Sequence, residues 1–388
     1  MRNRLLSLCL ALLVYFAAAP LTFAGAPNPP SIHAEAAALI DVQSGKMLMS
    51  LNGNKRMRIA SLTKIMTAIV AIEKGNLSDK VKVGPRAFGV EGSSIYLKKG
   101  EEMSLQNLLY GLMLRSGNDA AVAIAEHVGG SVDGFVYLMN EEAKLIGMTN
   151  SHFVNPHGLD AQDHYSTADD MAKLTAYALR NPVFREIVKT KVKTAPNPNE
   201  PWDYKWRNKN KMLTLYDGAD GVKTGYTKLA RRCLSSSATR NGQQLAVVTL
   251  DDSNDWADHQ LLLDYGFKNF PEREIIRKGQ LVENTNAVAA QSFVYPLADS
   301  EISGLSQKTE LYEKQSTAYR LGEKGRVVFY LEGRQIGAVP LVDQYSTRLN
   351  LTDRSALNKE AASAPWSGFA QVWAQLLKAL FTLNRESG

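Results

Sequence analysis

The spacing of apolar and polar positions changes along the chain, and each change marks a different element. Near the start, residues 37–42 and 46–51 are apolar segments flanking Gln43-Ser44-Gly45, the pattern of a β-hairpin. Leu62, Ile65, Met66, Ile69 and Val70 then recur at the i, i+3, i+4, i+7, i+8 spacing of one helix face, and Gly75 supplies a stop. From Gly75 to Gly100 the pattern breaks into loops and short strands. Leu105, Leu108, Leu109, Leu112 and Met113 predict an amphipathic helix that runs into Arg115-Ser116-Gly117-Asn118-Asp119. Residues 120–128 and 135–146 predict two further helices, closed by Gly129-Gly130 and Gly147. After the turn Asn155-Pro156-His157-Gly158-Leu159, the capping pattern Ser166-Thr167-Ala168-Asp169-Asp170 opens another helix, ended by Asn181-Pro182.

Beyond a polar loop rich in Pro and Trp (195–211), the period shifts to two. Residues 221–227 read as a strand edge, and 233–240 with 244–250 read as two strands joined by Asn241-Gly242, a hairpin signal. Residues 251–254 cap a helix carrying Trp256, Leu261, Leu262 and Tyr265 before Gly266. A two-strand start, a helical middle, then three strands and a helix predict an α+β domain: an antiparallel sheet flanked by helices, with a helical subdomain. From 271 to 352 short strand candidates (291–295, 310–312, 326–331, 335–339) separated by Gly, Ser and Asp predict a small all-β domain. In the last stretch, 353–388, Trp366, Phe369, Trp373, Leu376, Leu377 and Leu380 line one face of an amphipathic helix behind a Ser/Ala/Pro linker. It is too short to span a bilayer. Its two readings are a helix lying on a membrane surface, favoured by the paired tryptophans, and a helix packed on the β domain or another chain.

Composition adds compartment and excludes several chemistries. The 388 residues are 45% hydrophobic, enough for a substantial core. Met1-Arg2-Asn3-Arg4, an apolar run to about Ala19 and Thr22-Phe23-Ala24 before Gly25 have the form of a secretory signal peptide spanning 1–24. The mature chain, from 25 onward, is therefore expected outside the cytoplasm. Its formal charge falls from +6 to +4 without Arg2 and Arg4, a mild and dispersed excess that suits an anionic envelope surface and does not suggest nucleic acid. Cys233 is then the only cysteine, so no intramolecular disulfide is expected. The six histidines (His33, His127, His152, His157, His164, His259) show no metal-ligand spacing, and neither a metal nor a cofactor is predicted.

The chemistry rests on three short signals. Ser61 and Lys64 are one helical turn apart beside an apolar stripe, so a hydroxyl and an amine can meet at a desolvated surface; burial and a second cation would favour the neutral amine, a candidate base. Alone, Ser-x-x-Lys is weak, and on that basis Ser61 reads first as an ordinary helix cap and Lys64 as a solvated helix residue. Ser116-Gly117-Asn118 sits in a tight break between helices, where Asn118 can cap the next helix or present its amide to the Ser61 site. Lys223-Thr224-Gly225-Tyr226 lies on the strand edge. The conjunction of the three in this order is far more specific than any one, and is a signature of penicillin-binding proteins and class A β-lactamases.

The stretches Ala60-Ser61-Leu62-Thr63-Lys64-Ile65-Met66-Thr67 and Ser116-Gly117-Asn118-Asp119-Ala120-Ala121 resemble the low-molecular-mass D-alanyl-D-alanine carboxypeptidases, penicillin-binding proteins of the penicillin-binding protein 5 type. The likeness runs from about residue 36 to 267 and more loosely beyond. It implies a β-lactamase/transpeptidase-like fold over 25–270 and removal of the terminal D-Ala from peptidoglycan stem peptides, with β-lactams as covalent inhibitors. By the same resemblance Ser61 is the acylated nucleophile and Lys64 its base. Ser116 and Asn118 relay protons and orient the substrate amide, Lys223 and Thr224 hold the terminal carboxylate, and the N–H groups of Ser61 and Tyr226 form the oxyanion hole. Gly225 is expected to let a substrate strand approach closely. One position departs from the family, which often has Ala-Gly-x-Cys where this chain reads Ala230-Arg231-Arg232-Cys233. Two other classes stay open: a β-lactamase, although no Glu-x-x-Leu-Asn string stands where class A enzymes place one, and a non-catalytic penicillin-sensing or wall-binding protein.

Overall fold

A computed structural model describes residues 27–350, so the expected signal peptide and C-terminal helix lie outside the described residues. Strands β1 (Ala34–Asp41) and β2 (Met47–Leu51) form the expected hairpin, joined by β7 (Ala219–Thr227), β8 (Arg231–Arg240) and β9 (Gln243–Asp252) in one antiparallel sheet of order β2-β1-β9-β8-β7. Successive residues of β1 serve two cores. Ala36, Ala38 and Ile40 pack with the helical middle, while Ala37 and Leu39 pack with Leu245, Val247, Leu262 and Leu263. Burial on both faces is why this strand reads as a continuous apolar run rather than an alternation.

Helix α1 (Thr63–Lys74) is buried at every position from Thr63 to Ala71, Lys64 included. The sequence led us to expect one apolar face. Instead the helix runs through the middle of the domain, against the sheet side on one flank and other helices on the rest, so its polar residues are enclosed too. Helix α2 (Leu105–Tyr110) is shorter than its apolar spacing predicts: Gly111–Arg115 continues as a wider π-turn, which leaves Ser116 at φ +65° just before α3 (Asn118–Gly129). Helices α4 (Val132–Ile146) and α5 (Ala168–Arg180) are as predicted, with Thr167 capping the second.

Two elements were not legible in the pattern. Asn181 ends α5 and at once caps α6 (Pro182–Lys189), accepting from the N–H groups of Val183 and Phe184, with Pro182 in the first turn where its missing N–H costs nothing. Asn-Pro is thus a start as well as a stop. Strands β3 (Lys80–Lys82) and β4 (Glu102–Ser104) pair ahead of α2, and the polar loop conceals a hairpin, β5 (Val192–Ala195) with β6 (Tyr204–Arg207), whose buried Trp206 stacks on Tyr204. Helix α7 (Met212–Leu215) follows, and α8 (Asp255–Asn269) passes through Gly266 instead of stopping there. A side chain at Gly266 would come within 2.6 Å of Leu245 and 2.9 Å of Leu39, so this glycine serves close helix-to-sheet packing.

The second domain pairs β10 (Glu272–Ile276) with β12 (Phe293–Pro296), and sets β11 (Ala287–Ala289), β13 (Leu305–Leu311), β14 (Glu323–Leu331) and β15 (Arg334–Asp343) in a sheet of order β11-β15-β14-β13. Lys46 of the first domain ties it down through Glu301 and the carbonyl of Pro296. Among the described residues no helix is long and apolar enough to cross a membrane.

Candidate active site

Ser61 stands in a 3-10 turn, Ala60–Leu62, that leads directly into α1. Lys64, one turn on, is fully buried, and its Nζ lies 3.0 Å from Ser61 Oγ, 2.7 Å from Asn118 Oδ1 and 2.5 Å from the carbonyl of His157. The amide of Asn118 cannot be turned round, because its Nδ2 donates to the carbonyl of Glu91 at 2.7 Å. Two of the three partners of Lys64 are therefore oxygens that can only accept. A neutral amine has two N–H groups for those two oxygens and one lone pair left, facing the only partner with a proton to give, the Ser61 hydroxyl. Burial first, then the charges of Lys223 and Lys209, hold the Lys64 pKa well below the ordinary lysine value, against an opposing pull from Asp119.

Ser116 is buried at the mouth of the π-turn, but it is not among the partners of Lys64. Lys223 and Gly225 are both buried on β7, one of the two edge strands of the sheet, with Thr224 half-buried and Tyr226 exposed. Lys223 Nζ donates to the carbonyl of Thr224 at 2.7 Å. Its pKa is brought down to about 7 by burial and then by Lys209. Gly225 departs from expectation: a side chain there would lie 3.2 Å from the N of Ser61 and 3.3 Å from Ala60 Cβ, so the close approach it permits is to the chain's own serine turn.

Several supporting groups escaped the sequence. The turn at 155–159 is part of the site: its His157 carbonyl takes Lys64, its Pro156 carbonyl takes Thr67 Oγ1 at 2.6 Å, and Asn155 Oδ1 accepts from the N–H of Gly158 at 2.7 Å. Gly158, at φ +82°, lies so close beneath the serine turn that a Cβ would fall 1.9 Å from the carbonyl oxygen of Ala60. His164 accepts from the N–H of Val154 on Nδ1, which puts its proton on Nε2, 2.8 Å from Thr63 Oγ1; that hydroxyl donates to the carbonyl of Ala60 at 2.9 Å. Burial lowers the His164 pKa to about 4 and that of His157 to about 3, so both rings are neutral at pH 7. Asp119, next to Asn118, accepts from the N–H groups of Ile95, Leu97 and Ala120 and from Ser94 Oγ, fastening the 93–97 loop over the start of α3. No group of three or more His, Cys, Asp and Glu among the described residues could hold a metal ion. Carbonyls and a glycine carry no side-chain signature, and only the Asn155-Pro156-His157-Gly158 turn signal could have drawn attention to them.

A serine beside a buried lysine at the head of a central helix, an asparagine fixed on that lysine, and a second buried lysine on an edge strand form the arrangement expected of a penicillin-recognising serine acyl-transfer site. Comparison with known proteins agrees. Residues 24–254 match the family model of peptidase S11, described as D-alanyl-D-alanine carboxypeptidase. The chain is 37% identical over 325 residues to the D-alanyl-D-alanine carboxypeptidase DacF of Bacillus subtilis, covering 79% of this chain and 82% of that one. It is 36% identical over 362 residues to DacC of Escherichia coli, covering 84% and 88%. Among solved structures, penicillin binding protein 5 from Haemophilus influenzae superposes with a TM-score of 0.67 at 30% identity, over 81% of this chain and 98% of that one.

The chain belongs to the D-alanyl-D-alanine carboxypeptidase family, peptidase S11, and is a serine-type hydrolase of that activity. The family acts on peptidoglycan stem peptides and binds β-lactams.

Proposed function

We propose that this chain removes the terminal D-Ala of peptidoglycan pentapeptide stems through an ester on Ser61. Neutral Lys64 takes the hydroxyl proton while Ser61 Oγ bonds the carbonyl carbon of the penultimate D-Ala. The oxyanion meets the N–H groups of Ser61 and Tyr226. Collapse breaks the C–N bond, and the proton passes from Lys64 by way of Ser116 to the departing nitrogen, so the terminal D-Ala leaves as a neutral amine. Water then attacks the ester and gives a proton to Lys64; collapse breaks the acyl C–O bond, Lys64 passes that proton to Ser61 Oγ, and the shortened stem leaves with Ser61 and neutral Lys64 restored. Asn118 orients the substrate amide, Lys223 and Thr224 hold the terminal carboxylate, and Gly225 keeps β7 close enough to the serine turn to align Tyr226 with it.

The observation that supports this reading best is the three-partner setting of Lys64, which leaves a lone pair for one hydrogen, that of Ser61. A β-lactam presents a strained amide beside a carboxylate to the same groups. Its leaving amine stays tethered, so water is kept out and the ester persists. Intact-mass measurement is expected to show a single long-lived penicillin adduct, absent in Ser61→Ala, and a pentapeptide muropeptide is expected to lose one alanine. Catalytic penicillin hydrolysis would favour a β-lactamase, and a stable adduct without D-Ala release a sensor.

The same proposal covers the rest of the chain: export on a signal peptide at 1–24, a peptidase domain at 25–270, a β domain at 271–352, and a linker with an amphipathic helix at 353–388 resting on the extracytoplasmic membrane face. Paired Trp366 and Trp373 on one helical face support the last point. Equal sedimentation with vesicles of the full chain and one ending near 361 would remove it.

A further inference from the structure

Two consecutive residues at the start of α3 hold one loop by its two kinds of backbone group. The stretch 88–97 has neither helix nor strand, and its hydrogen bonds to the rest of the described chain all end on Asn118, Asp119 or Lys209. Asn118 donates to carbonyls of this loop: its N–H reaches Ser93 O at 2.7 Å and its Nδ2 reaches Glu91 O at 2.7 Å. Asp119 accepts from the donors: the N–H groups of Ile95 and Leu97 at 3.1 and 3.0 Å, and Ser94 Oγ at 2.6 Å, which itself accepts from the N–H of Tyr96 at 2.8 Å. Three successive N–H groups are thereby turned inward. Tyr96, between the buried Ile95 and Leu97, is left 82% exposed at φ +65°, a left-handed backbone that a bulky residue keeps only when its surroundings impose it.

The acceptor has to be a carboxylate. Asp119 is 1% exposed and forms no ion pair with another described residue, so its charge is met by N–H and O–H donors alone, among them the N–H of Ala120 in the first turn of α3 at 2.9 Å. Both oxygens are taken: Oδ1 by Ala120 and Ile95, Oδ2 by Ser94, Leu97 and Ile95. An asparagine in the same place would turn an NH2 towards one of these sets of donors and lose them.

The consequence reaches the base. Asn118 Oδ1 faces Lys64 Nζ because Nδ2 is engaged by the Glu91 carbonyl, and a Cβ on Gly92, at φ +84°, would lie 3.0 Å from that Nδ2, so the loop backbone is close against the amide. We infer that Asp119 is a positioning residue for acylation: by fixing residues 94–97 it keeps the Glu91 carbonyl on Asn118 Nδ2, and so keeps an acceptor, not a donor, turned to the amine of Lys64. Without that hold the amide can turn its NH2 to Lys64, where it competes with the Ser61 hydroxyl for the lone pair. Asp119 also acts on the same amine through space. Its negative charge opposes the burial and the cations Lys223 and Lys209 that draw the proton off Lys64, while the nearby rings of His157 and His164 are neutral. The role assigned to Asp119 rests on Lys64 being the base, as proposed above; the fastening of the loop does not.

The test is penicillin acylation of Asp119→Asn in the full chain, followed as adduct mass against time across pH, with hydrogen exchange of residues 94–97 measured on the same protein. The maximal rate is expected to fall about tenfold or more, and the Ile95 and Leu97 amides to lose their protection. The acid limb of the profile should move down by about half a pH unit or more, because a negative charge beside Lys64 is gone and the amine is neutral at lower pH. A loss of stability alone would not move that limb. Thermal unfolding checks that the variant is folded, and Ser94→Ala, which removes one donor and leaves the charge, should lower the rate about threefold with the acid limb in place. A folded Asp119→Asn protein with the parent rate, or one whose rate falls while the acid limb and the exchange stay as in the parent, would overturn the inference. If Asp119→Asn does not fold, parent-like acylation by Ser94→Ala would overturn it. Absence of any adduct in the unmodified chain would remove the carboxypeptidase reading and this role with it, whereas an adduct there with unprotected Ile95 and Leu97 amides would overturn this role alone.

Discussion

The two domains bury different things. Every buried polar or charged residue among those described lies between Asp41 and His259, whereas residues 271–350 bury apolar side chains alone. The first domain encloses two lysines and two histidines around one serine, each held by named hydrogen bonds and each shifted towards neutrality by burial. Phe329, Val327, Val339 and Leu341 of the second domain form an ordinary apolar core with nothing to titrate. Burying a charge is costly unless it is neutralised, so the first domain trades packing quality for reactivity and the second has no reason to.

The contrast can be pressed hardest at Lys64. Lys64→Met keeps the length of the side chain and removes the only basic nitrogen facing Ser61. Penicillin acylation is expected to fall at least about 10³-fold, followed as adduct mass against time, with circular dichroism unchanged. Retained acylation would move the base to another residue. In the second domain the outcome should be reversed. Phe329→Ala removes a fully buried ring stacked on Phe293 and is expected to cost about 3–5 kcal/mol of that domain's stability, read from denaturant unfolding, while the acylation rate stays at the parent value.

A smaller effect separates the domains by pH. Lys223 has a folded pKa of about 7 against 10.5 for an unperturbed lysine. Between those values the unfolded chain binds more protons than the folded one, so this group makes the protein more stable as pH rises from about 7 to 10.5, by about 1 kcal/mol per pH unit over most of the window. Lys223→Met should flatten that slope, and an identical pH profile would place the Lys223 amine in water. The smallest effect is expected at Arg231. This exposed residue holds φ +58°, a conformation glycine adopts without strain, and Arg231→Gly should stabilise by no more than about 1 kcal/mol, seen as a slight rise in Tm. A loss of stability would mean that the arginine makes a contact worth more than its backbone strain.

How much of this could be read in the sequence followed from which groups carry side-chain identity. The sheet, the central helix and Ser61, Lys64, Asn118 and Lys223 were legible because apolar period and motif spacing both point to them. The hairpin of β5 and β6 was hidden by a polar, proline-rich stretch whose one buried anchor, Trp206, has no periodic partners. Helix α6 was hidden because Asn181-Pro182 reads as a terminator. The third partner of Lys64 is a backbone oxygen, and Lys209 reaches the site from a loop with no pattern at all, so neither left a trace in spacing. Ser116 shows the converse: its position was legible, yet its hydroxyl is not among the hydrogen-bond partners of Lys64.

The donor chain from His164 through Thr63 to the carbonyl of Ala60 also acts as a compass. In a trans peptide the C=O and the N–H of one plane point in opposite directions. Thr63 Oγ1 pulls the Ala60 oxygen to one side, and His164, one hundred and one residues away in the chain, holds that hydroxyl in place. The other end of the same plane is the N–H of Ser61, which must then face the opposite side, where Gly225 comes so near that a Cβ on it would lie 3.2 Å from the Ser61 nitrogen. A buried, neutral imidazole thereby sets the bearing of the donor that would meet the oxyanion.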